Sequence, residues 1–293
     1  MDLRGAYTAL VTPFRNGKVD DAAYRRLLAL QKRAGMTGVV PCGCTGEAAT
    51  LDANERRMLI DIALETVGGS LRVIPGTGSN STETSIELTR AAEASGADAA
   101  MLITPYYNKP SQQGLLGHYM RVAESTTLPL VLYNVPGRTG VTMSADTVAR
   151  LYESGRFAAI KEAGGRVDAV SDFLSLSGIT VLSGDDSLTV PMMSVGAMGV
   201  VSVVSNLYPA HVRALVDAAT EGDYQKAREI HYQLLPVVRA AFVESNPSPI
   251  KAMLAMKEVI KEELRPPLAA VSDASRELIR AALDRTEKAG VAV

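Results

Sequence analysis

The chain has 293 residues, 47% of them apolar, with 30 basic and 32 acidic side chains and a formal net charge of −2. That length suits one large domain or two small ones. The balanced charge argues against nucleic-acid or anionic-membrane partners, and no apolar run reaches the roughly 18 residues a membrane helix needs.

The N-terminus, MDLRGAYTALVTPF, lacks the apolar core and small-residue cleavage site of a secretory leader. Two cysteines, Cys42 and Cys44, share one Cys-Gly-Cys tripeptide. The spacing is poor for a disulfide, and two thiols are too few for zinc. The expectation is a soluble protein of a reducing cytoplasm, without a metal.

In chain order, short apolar runs alternate with amphipathic segments. The predicted strands are 6–11, 38–41, 72–76, 99–103, 130–134, 158–162, 180–184 and 199–203. Their near-continuous apolar character suits parallel strands covered on both faces. Helical patterns lie between them at 20–34, 52–66, 82–94, 111–124, 144–153, 166–176 and 187–195. A repeat of roughly 25–35 residues is the size of a βαβ unit. Eight such units predict an α/β fold, a (β/α)8 TIM barrel. The competing doubly wound sheet usually carries a Gly-rich phosphate turn after its first strand, and none is present. The GTGSN stretch at 76–80 reads as a strand-to-helix turn.

Beyond about residue 206 the strands stop, and helices are predicted at 208–220, 223–244, 249–263 and 272–288. The division expected is a barrel carrying the active site, 1–224, and a C-terminal helical region, 225–293.

Chemistry in such barrels collects at the C-terminal ends of the strands. Those ends carry Gly43 to Glu47, Thr104 to Tyr107, Tyr133 and Asn134 followed by Val135 to Thr139, Lys161 and Glu162, and Ser183 to Asp186. Lys161 closes an apolar strand. Burial disfavours its ammonium form, so the amine can serve as a nucleophile and form a Schiff base with a carbonyl. Taken alone it reads equally as a snorkelling charge paired with Glu162. Tyr106 and Tyr107 read first as packing, Asp185 and Asp186 as a helix cap rather than a metal site, and Arg138 as either a surface charge or a carboxylate anchor. The combination is more telling than its parts. A lysine, tyrosines able to relay protons, a Gly-Cys-Thr-Gly turn rich in N–H groups and an arginine form a Schiff-base constellation.

These residues, with Thr12-Pro13-Phe14, Pro75 to Gly78, YNVPGRT at 133–139, IKEA at 160–163, SGDD at 183–186 and ESNPSPIK at 244–251, resemble the dihydrodipicolinate synthase family. It belongs to the pyruvate-dependent class I aldolases, which also include N-acetylneuraminate lyase. The resemblance runs from about Gly5 to the C-terminus. It implies condensation of pyruvate with L-aspartate 4-semialdehyde to 4-hydroxy-tetrahydrodipicolinate, in lysine and diaminopimelate biosynthesis, with no cofactor. Residue by residue, Lys161 matches the imine-forming lysine, Tyr133 a proton-shuttling tyrosine, and Tyr107 a tyrosine donated across a dimer interface. Thr45 matches a pyruvate-carboxylate ligand and Arg138 the ligand of the aldehyde substrate's carboxylate. Val203 matches a position whose carbonyl faces substrate, and Gly184 a pocket-lining loop. A homotetramer, a dimer of tight dimers, is implied.

The sequence departs from the family at Cys44, usually a threonine whose hydroxyl links the two tyrosines. A thiol is a weaker hydrogen-bonding group. Asn80 and Tyr106 match a site where lysine inhibits some members, whereas Ala48, Ala53, Arg56 and Thr84 do not, so inhibition is expected to be weak or absent. The alternatives are a sugar-acid or sialic-acid lyase of the same superfamily and a non-catalytic binding homologue.

Overall fold

The computed structural model describes residues 1–292. Eight parallel strands form its centre: β1 (Gly5–Ala9), β2 (Gly38–Val40), β3 (Arg72–Val73), β4 (Ala100–Ile103), β5 (Leu130–Asn134), β6 (Phe157–Glu162), β7 (Thr180–Ser183) and β8 (Gly199–Ser202). Each of β1, β2 and β4 to β7 neighbours its sequence successor, and β8 returns to β1 with Gly5 opposite Gly199 and Tyr7 opposite Val201. A parallel bridge between Gly76 and Met101 joins the continuation of β3 to β4, with Thr77 N donating to Met101 O at 2.9 Å. The ring is therefore closed, with neither of its end strands left unpaired. At the β8–β1 seam the backbones approach so closely that a Cβ on Gly199, at φ +145°, would lie 1.9 Å from the Gly5 carbonyl oxygen. Only glycine fits there.

The helices are α1 (Asp21–Arg33), α2 (Ala53–Val67), α3 (Thr82–Ser95), α4 (Gln112–Glu124), α5 (Ala145–Glu153), α6 (Asp168–Leu176), α7 (Thr189–Ser194) and α8 (Pro209–Thr220), followed by α9 (Tyr224–Ala240), α10 (Ser248–Met256) and α11 (Asp273–Lys288). Local chemistry sets their starts. Asp20, Ser81, Ser111, Ser144, Asp223 and Ser272 each accept a hydrogen bond from a first-turn N–H, and Asp52 forms a reciprocal capping box with Glu55.

Three local differences from the sequence expectation stand out. A ribbon pairs Phe14–Arg15 with Lys18–Val19 about an Asn16-Gly17 turn whose two residues have φ of +54° and +77°. Asn-Gly is the residue pair such a turn requires, but strands of two residues carry no periodicity. Second, α9 stops at Ala240 rather than 244. Third, α10 ends at Met256 rather than 263; Glu258 turns into left-handed backbone at φ +58°, and the chain to Val271 is irregular.

The buried apolar residues form one cluster that runs from Leu3 through the barrel to Val291, and includes Val237, Ile250, Met253 and Ile279 of the C-terminal helices. Among the described residues, no helix is long and apolar enough to cross a membrane.

Candidate active site

Lys161 is the fifth residue of β6, beside Tyr133 on β5 and Leu182 on β7. Its side chain is enclosed, 5% exposed, with Nζ 4.2 Å above the centroid of the Tyr133 ring. Burial pulls the amine down to about 8, opposed by Cys44, Asp186 and Asp185 and aided by Arg138. Gly184 makes the space: a Cβ there would sit 2.6 Å from Ala163 Cβ and 3.0 Å from Lys161 Cε.

The pairing of Lys161 with Glu162 is not what the structure holds. Glu162 turns to Asn134 Nδ2 at 2.8 Å and to the Gly164 N–H at 2.7 Å. Burial raises its carboxyl above the ordinary range. Asp185 occupies a helix-cap position without a side-chain cap bond, its carboxylate accepting instead from Gly165 N at 3.2 Å. Asp186 is buried, accepting from Ser202 Oγ and from Val203 N, the latter at 2.9 Å. Burial raises both carboxyls.

On the other side of the site, Thr45 lies buried in the turn after β2. Its Oγ1 accepts from Asn246 Nδ2 at 2.9 Å, and the Asn246 carbonyl accepts from Arg138 Nη2 at 3.0 Å. Because Asn246 supplies the Thr45 oxygen with a donor, the threonine's own proton is free to be donated to a ligand. Arg138 sits on a short helical turn, Pro136–Thr139, directly after β5. Cys44, Tyr133, Arg138 and Asn246 line a cavity of about 330 Å³ that extends to Arg56 and Tyr106. Burial drives the Tyr133 phenol well above its usual value, with Cys44 next among the causes. Cys42 is buried, and its thiol is pushed up to about 12.

The structure thus gathers Lys161, Tyr133, Cys44, Thr45, Arg138 and Gly184. Other expected residues lie differently. Tyr107 stands 89% exposed on left-handed backbone at φ +72° and is not among the residues that line the cavity. The Val203 carbonyl already accepts from Asn206 N at 3.2 Å and Asn206 Nδ2 at 2.9 Å. Tyr106 reaches the cavity edge, whereas Asn80 is engaged through its carbonyl by Asn108 Nδ2 at 2.8 Å. Asn246 had no assigned role in the sequence. Its segment, ESNPSPIK, was the available signal.

A model of the dihydrodipicolinate synthetase family matches residues 2–286. A 4-hydroxy-tetrahydrodipicolinate synthase of Pelobacter propionicus is 50% identical over 275 residues, 93% of this chain and 95% of that protein. One from Syntrophobacter fumaroxidans is 49% identical over 280 residues, 94% and 96% of the two chains. The solved 4-hydroxy-tetrahydrodipicolinate synthase of the methanotroph Methylacidiphilum fumariolicum superposes with a TM-score of 0.97 at 45% identity, covering 98% of this chain and 97% of that one. The chain belongs to the dihydrodipicolinate synthetase family.

Proposed function

We propose that this protein is a 4-hydroxy-tetrahydrodipicolinate synthase, a lyase that condenses pyruvate with L-aspartate 4-semialdehyde, and that Lys161 carries the reaction. The supporting observation is the enclosed amine of Lys161, its pKa pulled down to about 8 and its Nζ over the ring of Tyr133, which shares a cavity with Arg138 and Asn246 of an arginine–asparagine–threonine chain suited to carboxylates.

The neutral amine adds to the pyruvate carbonyl, and water leaves to give an imine. The iminium withdraws electrons from the adjacent methyl group, which loses a proton to form an enamine. The enamine carbon attacks the aldehyde. The second substrate's own amine then attacks the imine carbon, closing the ring and releasing Lys161. Thr45 holds the pyruvate carboxylate and Arg138 that of the semialdehyde. Tyr133 moves protons, with the Cys44 thiol beside it and Tyr107 supplied by a second copy of the chain. Gly184 keeps the approach to Lys161 open, and Val203 lies beside the carboxyl of Asp186. The assembly proposed is a tetramer of two tight dimers, in the cytoplasm.

The test is a coupled assay with pyruvate and L-aspartate 4-semialdehyde, with and without lysine. Turnover with the semialdehyde, and no half-inhibition at sub-millimolar lysine, is expected. Preference for a polyhydroxylated aldehyde would favour a sugar-acid lyase instead.

A further inference from the structure

We propose that the buried ion pair between Glu47 and Lys251 is a positioning device that fixes the Gly43–Gly46 turn, and through it the affinity for the pyruvate carboxylate. The inference rests on the reading of Thr45 as the carboxylate ligand.

The turn after β2 is tightly wound. Gly46 N donates to Gly43 O at 3.0 Å, Glu47 N to Cys44 O at 3.1 Å and Ala48 N to Gly43 O at 3.2 Å. Thr12 Oγ1 donates to the Gly46 carbonyl at 2.7 Å. Glu47, which ends it, lies in left-handed backbone at φ +56°, a region disfavoured for a residue with a Cβ. A residue held there needs its surroundings to keep it there.

Those surroundings come from the far end of the chain. Lys251 Nζ, on α10, donates to Glu47 Oε1, and the backbone N–H of Arg265 donates to Oε2 at 3.0 Å. Lys251 also donates to the Glu263 carbonyl at 2.7 Å. The Lys251 ammonium and the Arg265 guanidinium lie 4.3 Å and 4.4 Å from the centroid of the Phe14 ring. Both side chains of the ion pair are 0% exposed, unlike those of any other ion pair among the described residues. Burial pulls the Lys251 amine down, and Glu47 opposes that.

A pair so buried is a poor device for stability alone, because desolvation offsets the attraction and apolar residues fill such a space as well. What charges add is direction. Donors converging on both oxygens of one carboxylate fix its place more narrowly than packing does. Asn246, five residues before Lys251, holds the same turn at Thr45. The C-terminal segment therefore grips the turn at both Thr45 and Glu47, and the hydroxyl that meets the substrate belongs to the first of them.

The experiment compares wild type, Glu47→Asp and the double variant Glu47→Gln/Lys251→Met, which removes both charges together. The readouts are thermal melting, borohydride capture of pyruvate, and kcat and KM for each substrate. The expected result is cooperative melting in both variants, a pyruvate KM raised about tenfold, and kcat and the semialdehyde KM within about twofold of wild type. A wild-type pyruvate KM in either folded variant overturns the proposal, as does a loss of kcat at unchanged KM. A double variant that fails to fold also overturns it, by making the pair a structural element. Failure of wild-type protein to capture pyruvate would instead overturn the reading of the site on which the proposal rests.

Discussion

A lysine can attack a carbonyl only after it has lost its proton, so the enclosure of Lys161 bears directly on rate. With the amine at about 8 rather than 10.5, its neutral fraction at pH 7 is roughly one in ten instead of about one in three thousand. Imine formation should rise about tenfold per pH unit below about 8 and level off above it, measured by quenching pyruvate mixtures with borohydride at timed intervals. The same shift weakens the fold. The native amine is the poorer base, so the unfolded chain holds more protons between about 8 and 10.5. The cost is full below about 8 and fades as pH rises to 10.5. Cys44 gives a second test at this scale. A hydroxyl is a stronger hydrogen-bonding group than a thiol, so Cys44→Thr should raise kcat; an unchanged or lower kcat would show that the thiol is no handicap to the relay. Lys161, Tyr133 and Arg138 were legible because each closes or follows a recognisable strand. The stretches that hold Asn246, Glu47 and Lys251 stood out as well, but not what these residues touch, because their contacts join positions 201 and 204 apart, beyond the reach of any local pattern.

At the scale of the element, the eight strands read clearly because a parallel strand covered on both faces is apolar throughout. The ribbon at Phe14–Val19 and the early end of α10 did not. The first is too short for a period, and the second ends just before Glu258 turns into left-handed backbone, which no apolar period marks. The loop after β7 shows how strand spacing reaches the chemistry. A methyl group on Gly184 would press on Ala163 and on the Lys161 side chain, and overpacking of this kind costs about 1–3 kcal/mol. Gly184→Ala should fold and should lose about tenfold or more in kcat/KM as Lys161 is displaced. A folded variant with wild-type kcat/KM would show that the loop yields without moving the amine.

The whole molecule is more than a barrel with an appendage. Its core is continuous from Leu3 to Val291, and the C-terminal segment supplies Asn246, Lys251 and Arg265 to the mouth. The proposed role of Tyr107, exposed and on left-handed backbone, requires a second copy to bring it to the site. Dilution below the dimer's dissociation range should therefore lower specific activity in step with the dimer fraction measured by sedimentation. Full activity in a population shown to be monomeric would remove Tyr107 from the mechanism.

The most direct test is capture of the covalent intermediate. Protein incubated with pyruvate, reduced with borohydride and digested should show the mass of a reduced pyruvate adduct on the peptide containing Lys161, and Lys161→Met should show none. An unmodified Lys161 at saturating pyruvate, or an adduct on another lysine, would contradict the account.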